Sequence, residues 1–249
     1  MQALMMNTQL MISSILENAE KNFPEVEMVS VTADNPLHRQ SYQQFGERCR
    51  QLANCLNSLG AVFGDRIGTL AWNDYRHMEL YYAVSGSGMV CHTINPRLFP
   101  EQISYIINHA EDKILFVDLL VMPLVEALKQ HLTKVETIVV LTDKEHMPQS
   151  SFSNVLCYEE LLLSETANYE WPAFDENTAS GMCYTSGTTG NPKGVVYSHR
   201  STIIHALAGA LPDVTCASNM ETTLPIVPMF HVNAWGAPYA ASVSYTHLR

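Results

Sequence analysis

The sequence predicts an α/β protein built on a parallel sheet with crossover helices. Two short, nearly continuous apolar runs, KILFVD from Lys113 and TIVVLT from Thr137, have the composition of strands buried on both faces. A helical stretch from about Pro123 to His131 lies between them, which gives the order strand, helix, strand. A third run, RIGTLAW from Arg66, reads as a further strand and leads into a helical stretch around Met78 to Val84.

The remaining elements follow in order. MQALMMNTQLMISSILENAEKNF at the start reads as an amphipathic helix. It has no basic region ahead of its apolar stretch and no clear cleavage site, which disfavours a signal peptide. Ser41 and Gln44 form a capping box, after which Tyr42, Phe45, Cys49, Leu52, Leu56 and Leu59 recur at helical spacing until Gly60. SGSGMVCHTINP, from Ser85, passes through small residues into a short apolar run. Pro100 then opens a helix carrying Ile103, Ile106, Ile107 and Ala110. Asp143 to Ser153 is the best candidate for an exposed connection, Glu170 to Asn177 is a second, and neither marks a linker between domains. No internal repeat is present.

Composition bounds the function classes. With 47% hydrophobic residues in 249, the chain can bury a sizeable core. Fourteen basic against twenty-five acidic residues give a net charge of −11, so a general nucleic-acid or anionic-membrane surface is disfavoured. Nowhere do eighteen apolar residues run together, which argues against a transmembrane span. The six cysteines show no CxxC pairing, so a reduced, cytoplasmic protein without a structural metal is expected.

One stretch carries chemistry. In YTSGTTGNPKG, Tyr184 to Gly194, the glycines Gly187, Gly190 and Gly194 let backbone N–H groups approach a bound group. Ser186, Thr188 and Thr189 add hydroxyls, and Lys193 adds a point charge. Such a segment is either a flexible linker or a nest for polyphosphate. SGMCY before it and GVVYSH after it look like strands that pin both ends, which favours the nest. It is not a Walker A loop, because Lys193 lies between Pro192 and Gly194 and a strand rather than a helix follows. The next helix is expected from near Ser201 to Pro212.

YTSGTTGNPKGVVYSH closely resembles the signature loop of the adenylate-forming (AMP-binding) superfamily, which includes acyl-CoA synthetases, peptide-synthetase adenylation domains and beetle luciferases. PMFHVNAWG, Pro228 to Gly236, resembles the family's next motif at a fitting distance. Ser41 to Phe45 and AVSGSGMVCHTINPRL resemble earlier family segments more weakly. The resemblance implies that residues 1–241 are the N-terminal portion of the large adenylation domain, an incomplete α/β unit of layered sheets and helices.

It also implies an activity. Family members join a carboxylic acid to ATP, forming an acyl-adenylate and pyrophosphate, and most pass the acyl group to the thiol of CoA. Thr185, Ser186, Gly187, Thr188, Thr189, Gly190 and Lys193 would hold the β and γ phosphates, with Mg²⁺ bridging phosphate oxygens. The catalytic positions implied are Lys193, as a movable charge, and His231, as a positioner more than a general base. His231, Asn233 and Trp235 would stand on the substrate side, Trp235 either as a gate to a fatty-acid channel or as an ordinary buried aromatic. HVNAWG looks more like fatty or medium-chain acyl-CoA synthetases, with other adenylate-forming enzymes or a non-catalytic nucleotide- or acyl-binding module as alternatives. The oligomeric state stays open.

Two departures from the family pattern stand out. The Thr-Glu motif, the ribose-binding aspartate, the hinge and the C-terminal domain with its catalytic lysine have no match here, so the chain is expected to be an inactive fragment. The ending SVSYTHLR resembles read-through into a sequencing adapter, so residues 242–249 are expected to be a non-native tail.

Overall fold

The computed structural model describes residues 1, 5–185 and 190–248. Four expected phosphate contacts, Ser186, Gly187, Thr188 and Thr189, lie outside the described residues, as does Arg249 of the expected tail.

The chain opens with α1 (Ile12–Asn22), β1 (Glu27–Ser30), β2 (His38–Ser41) and α2 (Tyr42–Ser58). α1 is shorter than its sequence suggests, because Met5 and Met6 are exposed and burial begins at Met11 and Ile12, continuing through Ile15, Leu16 and Ala19. At the start of α2 the Ser41 hydroxyl accepts from Gln44 N (3.3 Å) while Gln44 Oε1 accepts from Ser41 N (2.9 Å). This is the reciprocal cap expected of that pair.

The main sheet then assembles from β3 (Arg66–Leu70), β4 (Val90–Thr93), β5 (Ile114–Asp118), β6 (Thr137–Leu141), β7 (Val155–Cys157), β8 (Ala179–Tyr184) and β9 (Gly194–Ser198). Its strand order is β7-β6-β5-β3-β4-β8-β9, parallel throughout except that β9 runs antiparallel to β8. Helices α3 (Tyr75–Gly86), α4 (Pro100–Ala110) and α5 (Met122–Leu128) make the crossovers, and α6 (Tyr158–Leu163) follows β7.

Strand alternation splits the interior into two apolar layers. Phe116 and Val139 face the layer containing α1, α2 and α3, whereas Leu115, Val117, Ile138 and Val140 face the layer under α4 and α5. Both faces of β5 and β6 are therefore buried, which is why these strands read as continuous apolar runs.

A second, small sheet has the order β10-β11-β1-β2, with β10 at Thr222–Thr223 and β11 at His247–Leu248. α7 (His199–Gly209) and α8 (Ala237–Ser244) complete the structure. α7 starts two residues before the expected Ser201, because the Ser198 hydroxyl accepts from Ser201 N (3.1 Å) and so caps it earlier. It also ends before Pro212, at Gly209.

α3 is buried along its whole length although it carries Arg76, His77 and Glu79. Its charges are met by distant partners. Arg76 donates to both oxygens of Asp34 (2.9 and 2.8 Å) and to Glu159 (2.8 Å), while Arg48 bridges Glu79 (2.7 Å) and Glu159 (3.0 Å). Burial alone would raise the Asp34 pKa, but the Arg76 hydrogen bonds and charge hold it well below the usual carboxylate range.

Candidate functional site

The glycine-rich stretch connects β8 to the antiparallel β9. Tyr184 pairs with Gly194, and beyond them Thr185 N donates to Lys193 O (2.9 Å) while Lys193 N donates to the Thr185 hydroxyl (3.4 Å). The segment is thus held at both ends by a backbone ladder, unlike a free linker. A Cβ on Gly194 would lie 3.1 Å from Met182 Sδ and 3.3 Å from the Tyr184 ring, so glycine lets the aromatic ring cover its cross-strand partner. The Tyr184 hydroxyl meets His109 Nδ1 (2.6 Å) and its ring sits 5.2 Å from that of His92. Burial, helped by the negative charge of Asp112, pushes the Tyr184 phenol up to about 12. Gly190 has φ +154°, a conformation that favours glycine, and Lys193 is exposed at the foot of the turn.

Connections from β3 and β4 leave on opposite faces, α3 into one apolar layer and α4 into the other. In open α/β sheets the crevice beside such a point, outside the carboxyl ends of the strands, is where ligands bind. Here a cavity of about 270 Å³ opens at the carboxyl ends of β4 and β8. Thr93, Asn95, Tyr184, Thr185, Tyr197 and His231 give it polar groups, and Leu98 and Phe230 are among its apolar ones. Thr185 and His231, forty-six positions apart, therefore face one space; Lys193 and Gly190 are not in its lining.

Asn233 and Trp235 belong to a second cavity of about 320 Å³, whose lining includes Thr202, His205 and Tyr239. Tyr197 and Val232 line both cavities and form the partition between them. Trp235 is 65% exposed, so it is not the ordinary buried aromatic that its size suggests.

The backbone turns sharply here. Val232, Asn233, Ala234 and Trp235 have φ of 49°, 51°, 49° and 54°, and Gly236 follows at 75°. Left-handed conformations cost a non-glycine residue about 1–2 kcal/mol each, so surrounding contacts must hold the turn. Asn233 supplies one such contact, accepting at Oδ1 from Cys183 Sγ (3.3 Å), with the Tyr81 hydroxyl 3.4 Å from the same oxygen. At Gly236 a Cβ would come within 2.6 Å of His205 Nδ1, so glycine meets both the dihedral and the space.

Sequence reasoning missed Asn73, Tyr81, Thr93, Asn95 and Tyr197. Asn73 and Asn95 were findable in principle, since each is a polar residue just past the end of an apolar strand. Tyr81 and Tyr197 carry no such signal. Elsewhere, Asp34, Asp143 and His146 bring ligand atoms within 4.8 Å of one another, but Arg76 already engages both oxygens of Asp34. All six cysteines are free thiols, and only Cys216 is exposed. Among the described residues no helix is long and apolar enough to cross a membrane.

The family described as AMP-binding enzyme matches residues 16–244. The chain belongs to that family. Two curated relatives of this AMP-binding chain are a 3-methylmercaptopropionyl-CoA ligase from Ruegeria lacuscaerulensis, 49% identical over 240 residues, and a medium-chain-fatty-acid–CoA ligase from Ectopseudomonas oleovorans, 48% identical over 239. Each alignment covers 96% of this AMP-binding chain and 44% of the relative, so the chain spans less than half the length of these proteins. A crystal structure of an anthranilate CoA ligase in complex with anthranoyl-AMP superposes on 100% of this chain and 46% of that one, with a TM-score of 0.83 at 22% identity. At that identity the likeness concerns the fold, and the AMP-binding chain has the layered α/β architecture of the N-terminal domain of adenylate-forming enzymes.

Proposed function

We propose that this chain is the nucleotide- and acid-binding part of an ATP-dependent carboxylic acid:CoA ligase working in the cytoplasm. The observation that carries the reading is the shared cavity: the root of the glycine-rich loop at Thr185 and the imidazole of His231 face one space that adjoins a second, more apolar one. In the reaction a carboxylate oxygen bonds to the α-phosphorus of ATP as the bond to pyrophosphate breaks. The thiol of CoA then attacks the acyl carbonyl, losing its proton, and AMP leaves. The first step brings a carboxylate against an already anionic phosphate, so its barrier is mainly electrostatic.

Each residue's part follows from that difficulty. Thr185, Ser186, Gly187, Thr188, Thr189 and Gly190 donate hydrogen bonds to the β and γ phosphates, and Lys193 swings its ammonium onto the departing pyrophosphate. His231 orients the carboxylate. Asn233 holds the strained turn that carries Trp235, and Trp235 gates the apolar cavity. Mg²⁺ arriving with ATP would supply charge neutralisation on the nucleotide side, where Thr93, Asn95, Thr185 and His231 give the cavity its polar groups.

The acid is aliphatic, fatty or short-chain, in line with the names of the relatives and with the apolar lining of the second cavity. We further propose that residues 1–241 are the native portion and 242–249 a non-native tail; a natural continuation of the encoding frame past Ala241 into the same eight residues and onward would refute this. The decisive experiment is binding of ATP and of a non-hydrolysable acyl-adenylate mimic to the 249-residue chain and to Lys193→Ala. Binding of both, with ATP weakened in the variant, supports the reading. Binding of neither overturns it. The chain alone is expected to release no pyrophosphate from ATP and fatty acid above the Lys193→Ala background, and release above it would show a self-sufficient enzyme.

A further inference from the structure

The stretch leading to His231 reads Pro225-Ile226-Val227-Pro228-Met229. Two of these five residues lack an N–H, so the segment cannot be held by an ordinary strand ladder, and it contains no helix or strand. One side chain from the connection after β3 makes three hydrogen bonds to it instead. Asn73, three residues past the end of β3, donates from Nδ2 to Pro225 O (3.0 Å) and Val227 O (2.9 Å) and accepts at Oδ1 from Met229 N (2.6 Å). Neighbours reinforce the hold: the Tyr81 hydroxyl donates to Met229 O, and Trp72 packs edge-on against Phe230 with ring centres 5.5 Å apart.

We propose that Asn73 is a positioning residue for His231. Its amide clamps the backbone of 225–229 and thereby sets where the imidazole, two residues beyond Met229, stands relative to Thr185. Only a short primary amide does this, because it presents two donors and an acceptor in one plane. An aspartate in its place keeps the shape and the acceptor but donates nothing, and leucine keeps the shape alone. This inference rests on the proposed function for the role of His231, while the clamp itself can be tested without it.

The test compares the full 249-residue chain with Asn73→Asp and Asn73→Leu in two measurements. In amide hydrogen exchange, Asn73→Leu is expected to speed exchange at Met229 and His231 by about tenfold or more, and Asn73→Asp, which keeps the acceptor for Met229 N, by less, with amides of β5 and β6 unchanged in both. In binding, the dissociation constant of an acyl sulfamoyl adenosine is expected to rise about tenfold, while that of inorganic tripolyphosphate, which needs only the loop and Lys193, moves less than about twofold. Unaltered exchange at Met229 in Asn73→Leu, acceleration spread evenly over β5 and β6, or equal weakening of both probes would overturn the proposal. If the unsubstituted chain binds neither probe, the ligase reading falls and the exchange pattern alone decides whether Asn73 orders the His231 segment.

Discussion

Acidification should destabilise this protein through His77, and the size of the effect follows from its surroundings. His77 is fully buried in α3, its Nδ1 at 2.8 Å from the Trp72 carbonyl and its Nε2 at 3.0 Å from the Thr69 hydroxyl. A carbonyl only accepts, so Nδ1 carries the proton and Nε2 accepts from Thr69; the neutral ring satisfies both neighbours. Burial depresses the imidazole pKa from 6.5 to about 4, against a smaller opposing pull from the Trp72 carbonyl.

The unfolded chain therefore binds this proton more readily than the folded one between about pH 6.5 and pH 4. Stability is fully present above that window and is lost as pH falls through it. The full shift corresponds to about 3 kcal/mol, of which about 2 kcal/mol is gone by pH 4.5. Asp74 acts with the opposite sign, since burial raises its carboxyl to about 7 and protonation relieves the folded state. A difference measurement separates the two. Urea unfolding of the chain and of His77→Gln, each near pH 7 and pH 4.5, should show the histidine protein losing about 2 kcal/mol more on acidification. Equal losses, or an imidazole resonance for His77 titrating near its free value, would refute the reasoning.

Other outcomes follow from the same geometry. Arg76→Leu leaves the Asp34 carboxylate without its counter-charge in a dry interior and should cost about 3–5 kcal/mol in urea unfolding, whereas a loss below about 1 kcal/mol would mean that water reaches Asp34. Phe116→Ala, at the centre of the sheet, should cost about 3–5 kcal/mol by the same measurement. Gly236→Ala places a methyl group against His205 in a left-handed turn and should lower the melting temperature by a few degrees, about 2–4 °C per kcal/mol, while shifting Trp235 fluorescence. Lys193→Ala, on an exposed side chain, should leave the melting temperature unchanged and weaken ATP binding about tenfold, as read by titration calorimetry.

The amino-acid sequence by itself determined the parallel sheet and the pair of strands that holds both ends of the glycine-rich loop. Strands such as Ile114–Asp118 and Thr137–Leu141 are buried on both faces, so each residue records the same environment and the run is apolar without interruption. The Ser41–Gln44 cap and the Pro100 helix start were equally legible, because caps and first turns depend on neighbours three residues away. The β1–β2 hairpin was not, since its strands are only four residues long and half-buried. Tertiary structure alone decided that Thr185 and His231 share a cavity while Asn233 and Trp235 line the next one, and that the turn at 232–235 is left-handed. It also decided that Arg76 finds Asp34 and that Asn73 finds Met229, pairs separated by 42 and 156 positions. A hydrogen bond or a cavity wall forms between groups made adjacent by the packing of the whole chain, and nothing in the immediate neighbourhood of either residue records the other.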